Sequence, residues 1–157
     1  MRSTCTRDSG VSVTASKPLL TGISPDGGLF LPQSFPAFSL EDISAMAKLD
    51  YAGRAAMVMG RFLTDFSAEE LDRYTKAAYA EDRFGKNTAP VVKLSDSAYI
   101  LELFHGPTSA FKDFALQILP YLLTASARKN GVNETIVILV ATSGDTGKAA
   151  LEGFADV

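Results

Sequence analysis

The sequence predicts an α/β protein in which a region of short strands and helices precedes the start of a mainly parallel sheet. Three observations support this class: turn-forming residues crowd the first forty positions, helical patterns fill residues 39–82, and the run 135–141 is apolar on both faces. A strand that is apolar on both faces is typical of the centre of a parallel sheet, because helices cover it on either side. We therefore predict two regions, 1–90 and 91–157.

The first forty residues predict turns and short strands. Pro25 presets φ and the two glycines after Asp26 accept positive φ, so residues 24–28 are expected to form a tight turn. A strand is predicted at 29–31, ending at Pro32. A second short strand is suggested at 11–13.

Residues 39–82 predict three amphipathic helices. Ser39 is a plausible N-cap for the first helix, and apolar residues spaced along 51–62 form the stripe of the second. Ser67 and Glu70 have the spacing of a capping box, which predicts the start of the third. Stripes of this kind usually form the core, so we interpret them as packing. Residues 83–90 are interpreted as a linker.

From Val91 onward the pattern becomes that of an α/β unit. Strands are predicted at 91–94 and 99–104, followed by a helix over 110–129 that Pro120 should kink or divide. The apolar run 135–141 predicts a central parallel strand, and a turn at 142–147 leads into another helix. Since a central strand needs neighbouring strands and covering helices, this α/β unit is expected to be incomplete. We interpret the chain as the N-terminal part of a longer protein.

Composition excludes several classes of function. The chain has 157 residues, 46% apolar and 21% charged, and a net charge of −3, which argues against nucleic acid as the main partner. Cys5 and His105 are the single cysteine and the single histidine, which excludes an internal disulfide framework and argues against a metal site. No apolar run reaches the roughly 18 residues that span a bilayer, and the polar N-terminus does not resemble a signal peptide. A cytoplasmic protein without a membrane partner is expected.

The first segment that suggests chemistry is residues 104–113, FHGPTSAFKD. A Gly-Pro turn follows a strand, and Thr108 or Ser109 is placed to cap the next helix. Lys112 then falls in the first helical turn, where the positive end of the helix and desolvation by the flanking Phe111 and Phe114 favour a neutral amine. A neutral amine is what Schiff-base chemistry requires. The alternative is a solvated surface lysine near a helix cap.

The second segment is residues 142–147, TSGDTG, between the predicted strand and a helix. Hydroxyls and backbone N–H groups at a helix N-terminus can bind an anion, and ligands of open α/β sheets bind beyond the carboxyl ends of strands. The alternative is an ordinary turn in which Ser143 or Asp145 caps the helix. The spacing of a Walker loop is absent, and Asp145 would repel a phosphate placed against it.

Four segments together closely resemble the threonine synthase family, pyridoxal-phosphate (PLP) enzymes of fold type II. The resemblance covers essentially the whole chain. HGPTSAFKD is highly specific in order and context, and SGDTG becomes specific at this distance behind it. The segments are Cys5–Arg7 (CTR), Gly22–Pro32 (GISPDGGLFLP), His105–Asp113 (HGPTSAFKD) and Thr142–Gly147 (TSGDTG).

The resemblance implies conversion of O-phospho-L-homoserine and water to L-threonine and phosphate. Lys112 would hold PLP as an internal aldimine and, once freed, move protons between substrate carbons. Asp145 would lie near the cofactor 3-hydroxyl, with a shared proton or a water between them. The other residues of that loop would receive the substrate α-carboxylate; they are Thr142, Ser143, Gly144 and Thr146.

Further residues before Lys112 are candidates for the substrate site. By the resemblance, His105, Thr108 and Ser109 would contact substrate phosphate or shape the pocket, and for His105 a structural role in a turn is an equal alternative. Cys5 stands where the family usually has Ser, and we expect it to be small and semi-buried and not a nucleophile.

The resemblance also implies that part of the site lies elsewhere. The glycine-rich loop that grips the PLP phosphate and the partner of the pyridine nitrogen come later in fold-type-II chains. We therefore expect the 157 residues alone to be inactive and to need the remainder of their own chain. The alternatives are a threonine-synthase-like phospho-lyase, a PLP-binding relative without catalysis, and a nucleotide-binding α/β domain.

Overall fold

The computed structural model describes residues 1–155 and residue 157, which form helices and two short sheets. The α/β class is confirmed. The strands are β1 (Ser3–Cys5), β2 (Phe30–Pro32), β3 (Val91–Lys93) and β4 (Tyr99–Leu101). The helices are α1 (Ser16–Thr21), α2 (Leu40–Met46), α3 (Tyr51–Phe62), α4 (Ala68–Ala78), α5 (Glu81–Phe84), α6 (Asp113–Leu116), α7 (Leu119–Lys129) and α8 (Asp145–Gly153).

The N-terminal sheet is an antiparallel pair in which Cys5 of β1 lies opposite Phe30 of β2. The suggested strand at 11–13 is reduced to a single antiparallel bridge between Ser3 and Val13. A Cβ at Gly28 would overlap the Cys5 sulfur, so the turn before β2 requires a residue without a side chain there. Cys5 is 4% exposed, and is therefore more deeply buried than the semi-buried position expected.

Local caps begin the helices where the sequence predicts them. Ser39 and Ser67 both form complete capping boxes. In each, the serine hydroxyl accepts the backbone N–H of the acidic residue three positions later, and the carboxylate of that residue accepts the backbone N–H of the serine. The carboxylate of Asp50 caps α3 by accepting the Gly53 amide at 2.7 Å. The cap at Asp50 was not predicted.

The core lies among α3, α4 and α7. Leu71 and Ala78 of α4 pack with Leu122 and Ala125 of α7 in one buried cluster. The hydroxyl of Tyr79 donates to the backbone carbonyl oxygen of Phe114 at 2.8 Å, which joins the first region to the second. Burial of that phenol raises its pKa, so Tyr79 stays a neutral donor.

Two predictions about helices change in the structure. The linker predicted over 83–90 begins inside α5, because Phe84 is 1% exposed and anchors that turn in the core. The helix predicted over 110–129 begins at Asp113 and is divided into α6 and α7. Pro120 lies in the first turn of α7, where a missing N–H costs nothing, so the predicted division is confirmed.

The prediction of a central strand at 135–141 is wrong for the described residues. This run has no strand partner in the structure, and Leu139 is 90% exposed. The two sheets that do form in the described chain are antiparallel pairs, so the expected mainly parallel sheet is not present there. The physical reason is that a strand is made by hydrogen bonds to a neighbour, and none of these residues supplies that neighbour.

Among residues 1–155 and 157, no helix has both the length and the apolarity needed to cross a bilayer.

Gly153 of α8 packs directly against the backbone of α6. An added Cβ would overlap the Leu116 carbonyl oxygen, a backbone atom that cannot rotate away. We expect Gly153→Ala to lower the free energy of unfolding by about 1–3 kcal/mol. Gly60→Ala in α3 is the control, because its Cβ would meet Leu71 at 3.7 Å and should stabilise the helix by about 0.5–1 kcal/mol. Urea unfolding of both variants measures this, and equal midpoints would contradict the packing.

Glu70 gives the fold a pH dependence. The ammonium of Lys129 at 2.8 Å and the Ser67 amide lower the pKa of this carboxyl from its ordinary value of 4.5. A lowered folded-state pKa stabilises the protein above pH 4.5, and the contribution is lost as the pH falls below that value. Glu70→Gln should therefore cost about 0.5–1 kcal/mol at pH 7 and almost nothing at pH 3.

The control for this prediction is Glu69→Gln, which removes a charge from the same helical turn without touching the contact to Lys129. Thermal unfolding from pH 3 to pH 7 measures both variants. A Glu70→Gln penalty that is the same at both ends of this range would count against the ion pair.

Candidate functional site

The segment before Lys112 is folded around the carboxylate of Asp113. Asp113 is 0% exposed, and its Oδ2 accepts the Thr108 amide at 2.9 Å while its Oδ1 accepts the Thr108 hydroxyl at 2.7 Å. Gly106 lies against the same side chain, where a Cβ would overlap the carboxyl group. The sequence analysis did not single out Asp113. The signal available was a carboxylate that follows a Gly-Pro-Thr turn by five residues.

The prediction that Thr108 or Ser109 caps the next helix is wrong, because α6 has no side-chain cap. The Thr108 hydroxyl is buried and bonded to Asp113. Ser109 is exposed, its amide donates to the Gly106 carbonyl at 3.0 Å, and its φ is 58°. The Ser109 hydroxyl therefore lies on the accessible side of the loop.

Lys112 occupies the N-cap position of α6, one residue before the helix begins. Its carbonyl accepts the Leu116 amide at 3.0 Å, and its Nζ lies 4.5 Å from the centroid of the Phe111 ring. Phe111 is 61% exposed, whereas Phe114 packs into the core and does not cover the amine as expected. Lys112 as a residue is half-buried, and the four-residue α6 adds little field of its own.

The loop 142–147 is held by the hydroxyl of Thr142. Its Oγ1 accepts the amides of Gly144 and Gly147, both at 3.1 Å, so Thr142 does the capping predicted for Ser143 or Asp145. Gly144 is the N-cap residue of α8 with a φ of 140°, which favours glycine. Asp145 and Ser143 are exposed at this helix end.

The two segments approach each other through their helices. The backbone of α6 at Leu116 packs against Gly153 of α8, so the residues after Lys112 and the residues after the 142–147 loop belong to one packed unit. In residues 1–155 and 157, no hydrogen bond or ion pair joins Lys112 directly to that loop.

Comparisons with known proteins agree with this arrangement. Residues 2–79 match the family model described as Threonine synthase N terminus. The threonine synthase of Pseudomonas aeruginosa is 41% identical over 157 residues, covering 98% of this chain and 32% of its own. The crystal structure of a PLP-bound threonine synthase from Brucella melitensis superposes with a TM-score of 0.90 at 37% identity, covering 99% of this chain and 33% of that one.

The chain belongs to the threonine synthase family. Human threonine synthase-like 1 is also similar, 40% identical over 142 residues that cover 88% of this chain and 19% of its own. The chain spans about a third of the length of the threonine synthases it matches.

The residues present are compatible with PLP, the group that the Brucella melitensis threonine synthase binds. The Nζ of Lys112 makes no ion pair with any carboxylate in the described part of the chain, so the amine is available to an aldehyde. The amides of Asp145 and Thr146 open α8 and have no acceptor within the helix, so a carboxylate is a suitable partner for them. Within the same described residues, no cluster of three His, Cys, Asp or Glu side chains is arranged for a metal ion.

His105 has a carboxylate partner that the sequence analysis missed. Its Nε2 lies 2.7 Å from Oε2 of Glu102, and its ring stacks on Phe104 with the centroids 4.7 Å apart. The ring is therefore oriented by residues at the end of its own strand. Both roles predicted for His105 remain predictions.

The Thr142 hydroxyl should decide whether the 142–147 loop keeps its shape. Thr142→Val removes the acceptor for two amides and keeps the side-chain volume, whereas Thr142→Ser keeps the acceptor. We expect Thr142→Val to cost about 1 kcal/mol, as other lost helix caps do, and to speed hydrogen exchange at the Gly147 amide. Native-state exchange measured by NMR compares the three proteins. Equal exchange in Thr142→Val and Thr142→Ser would refute the capping role.

Proposed function

We propose that the full-length protein that carries this chain converts O-phospho-L-homoserine and water into L-threonine and phosphate with PLP as its cofactor. The observation that carries the proposal is a half-buried Lys112 that makes no ion pair among the described residues, in a chain that superposes at a TM-score of 0.90 on a PLP-bound threonine synthase. PLP, when bound, supplies the electron sink for chemistry at the substrate carbons.

Lys112 is proposed both as the residue that holds PLP and as the group that moves protons. A lysine amine that is half-buried and without a carboxylate partner in the described residues suits both tasks. The neighbouring Phe111 is exposed and lies against the amine, so it would form one wall of the site.

The loop 142–146 is proposed to bind the substrate α-carboxylate. The first amides of α8 lack acceptors within the helix, and Ser143 and Thr146 add hydroxyls beside them. Thr142 serves this site by holding Gly144 in place, since its oxygen already accepts two amides. Asp145 is proposed to lie near the cofactor 3-hydroxyl, where its charge would orient the ring.

The substrate phosphate is proposed to lie near His105 and Ser109. Ser109 offers an exposed hydroxyl, and the His105 ring is fixed by Glu102. Thr108 was predicted to share this role, but its hydroxyl is bonded to Asp113, so we assign it to the support of the loop.

The remainder of the chain is proposed to complete both the sheet and the site. Exposed apolar side chains cover β3, β4 and the run 136–140, and Val137 is 71% exposed. Neighbouring apolar side chains that are exposed in this way often mark an interface. We propose that the division between residues 1–90 and 91–157 separates an N-terminal domain from the first part of the PLP domain. The family model match at 2–79 falls within the first of these.

A second candidate is a phospho-lyase that eliminates phosphate from a related amino acid and releases a keto acid and ammonia. The 40% identity to human threonine synthase-like 1 favours keeping it. Lys112 and the 142–146 loop would serve both reactions. Identification of the organic product, threonine or a keto acid, decides between them.

The experiment is reductive trapping of PLP on the full-length protein. Borohydride should fix one PLP per chain on the peptide that contains Lys112, and Lys112→Ala should lose the label and all activity. Lys148→Ala is the control, because this exposed lysine lies one turn into α8 and should keep the label. A label that persists in Lys112→Ala would refute the assignment. Phosphate release by the 157-residue chain alone would refute the need for the remainder.

A further inference from the structure

We infer that Asp113 is a positioning residue for Lys112, acting through the two hydrogen bonds that it accepts from Thr108. The inference rests on the proposed function, because it concerns where the Lys112 amine is presented. Asp113 is buried and is not placed in contact with substrate or cofactor. Asp113 fixes the loop that carries Lys112, the residue proposed to contact the cofactor.

The first step is the burial of the carboxylate. An unpaired polar or charged side chain without solvent exposure is strongly destabilising unless hydrogen bonds compensate it. Asp113 is 0% exposed and receives both an N–H and an O–H from one residue, Thr108. Since both bonds come from Thr108, the carboxylate ties one point of the backbone to another five residues away.

The second step is the shortness of the tied loop. Four residues lie between Thr108 and Asp113, and Lys112 is the residue immediately before Asp113 in the sequence. Within this loop Ser109 is held at a φ of 58°, a conformation that non-glycine residues rarely adopt. Such a conformation persists where surrounding contacts impose it. The nearest such contacts are the two hydrogen bonds that Asp113 accepts from Thr108, the residue before Ser109.

The third step excludes α6 as the sole support. This helix has four residues and no side-chain cap, which is too short to hold its own N-terminus rigidly. Gly106 packs against the Asp113 side chain from the other side, where any Cβ would overlap it. The carboxylate is therefore enclosed by the loop that it organises.

The geometry predicts a particular kinetic effect. Displacement of a reacting group by about 1 Å can cost on the order of 100-fold in rate. Loss of the Thr108 hydroxyl should therefore lower kcat about 10- to 100-fold. KM should rise in the same variant, because Ser109, a proposed contact of the substrate phosphate, lies in the loop that this hydroxyl holds. A residue with a purely structural role would lower the unfolding midpoint and leave kcat per folded molecule unchanged.

The experiment compares matched variants of the full-length protein. Thr108→Val removes the hydroxyl donor and keeps the amide bond, Thr108→Ser restores the donor, and Asp113→Asn replaces one acceptor by a donor. Thr124→Val is the control, because Thr124 is exposed on α7 away from the loop. For each variant we measure kcat, KM, the rate of borohydride labelling at Lys112 and the pH dependence of the cofactor absorbance.

We expect slower labelling, reduced kcat and a shifted pH profile for Thr108→Val and Asp113→Asn, with recovery in Thr108→Ser. Wild-type kcat and labelling in Thr108→Val would overturn the inference even if its unfolding midpoint falls. If Asp113→Asn does not fold, the Thr108→Val and Thr108→Ser pair decides alone. A label retained by Lys112→Ala refutes the proposed function instead, so the two failures are distinguishable.

Discussion

The buried carboxylate of Asp113 is the constraint on which the candidate site depends. A fully enclosed carboxylate is stable only when donors reach it, and both donors come from Thr108. This requirement closes the loop before α6, leaves no room for a side chain at Gly106, and sets the point from which the Lys112 side chain departs. Packing and chemistry are thereby coupled at two adjacent residues. Asp113 holds the loop through its buried hydrogen bonds, and the loop determines where the side chain of Lys112 begins.

The helical core gives that loop a fixed platform. Phe114 packs against Phe84 with ring centroids 5.1 Å apart, and the Tyr79 hydroxyl bonds the Phe114 carbonyl oxygen. Residues 1–90 therefore contact α6 at Phe114, one residue after Asp113, through an apolar contact and a hydrogen bond. On the far side, Gly153 lets α8 approach the end of α6 without an intervening side chain. The proposed cofactor anchor is thus held by the N-terminal region as well as by its own segment.

Sequence reasoning succeeded where structure is local and failed where it depends on distant partners. Ser39 and Ser67 were predicted as caps because a capping box is complete within four residues. The division of the long helix followed from Pro120, whose missing N–H is equally local. The role of Asp113 was missed because its burial depends on packing that no short window contains. Lys112 was predicted through a motif resemblance and stays a prediction; the physical argument from a helix end was weaker, since α6 has only four residues.

The run 135–141 shows most clearly what a strand prediction measures. Its residues are apolar at successive positions, yet five of them, Ile136 to Val140, remain exposed and unpaired in the described chain. Full burial of one such side chain is worth about 1.5–3 kcal/mol. These five are between 39% and 90% exposed, so burying the area that remains exposed would be worth about 4–8 kcal/mol. That amount is comparable to the whole net stability of a domain. The apolar pattern therefore predicts that the segment is suited to a buried position. Whether the segment forms a strand depends on a neighbouring strand that can bond to it. The same holds for the exposed faces of β3 and β4, which pair with each other but with no third strand in the described residues.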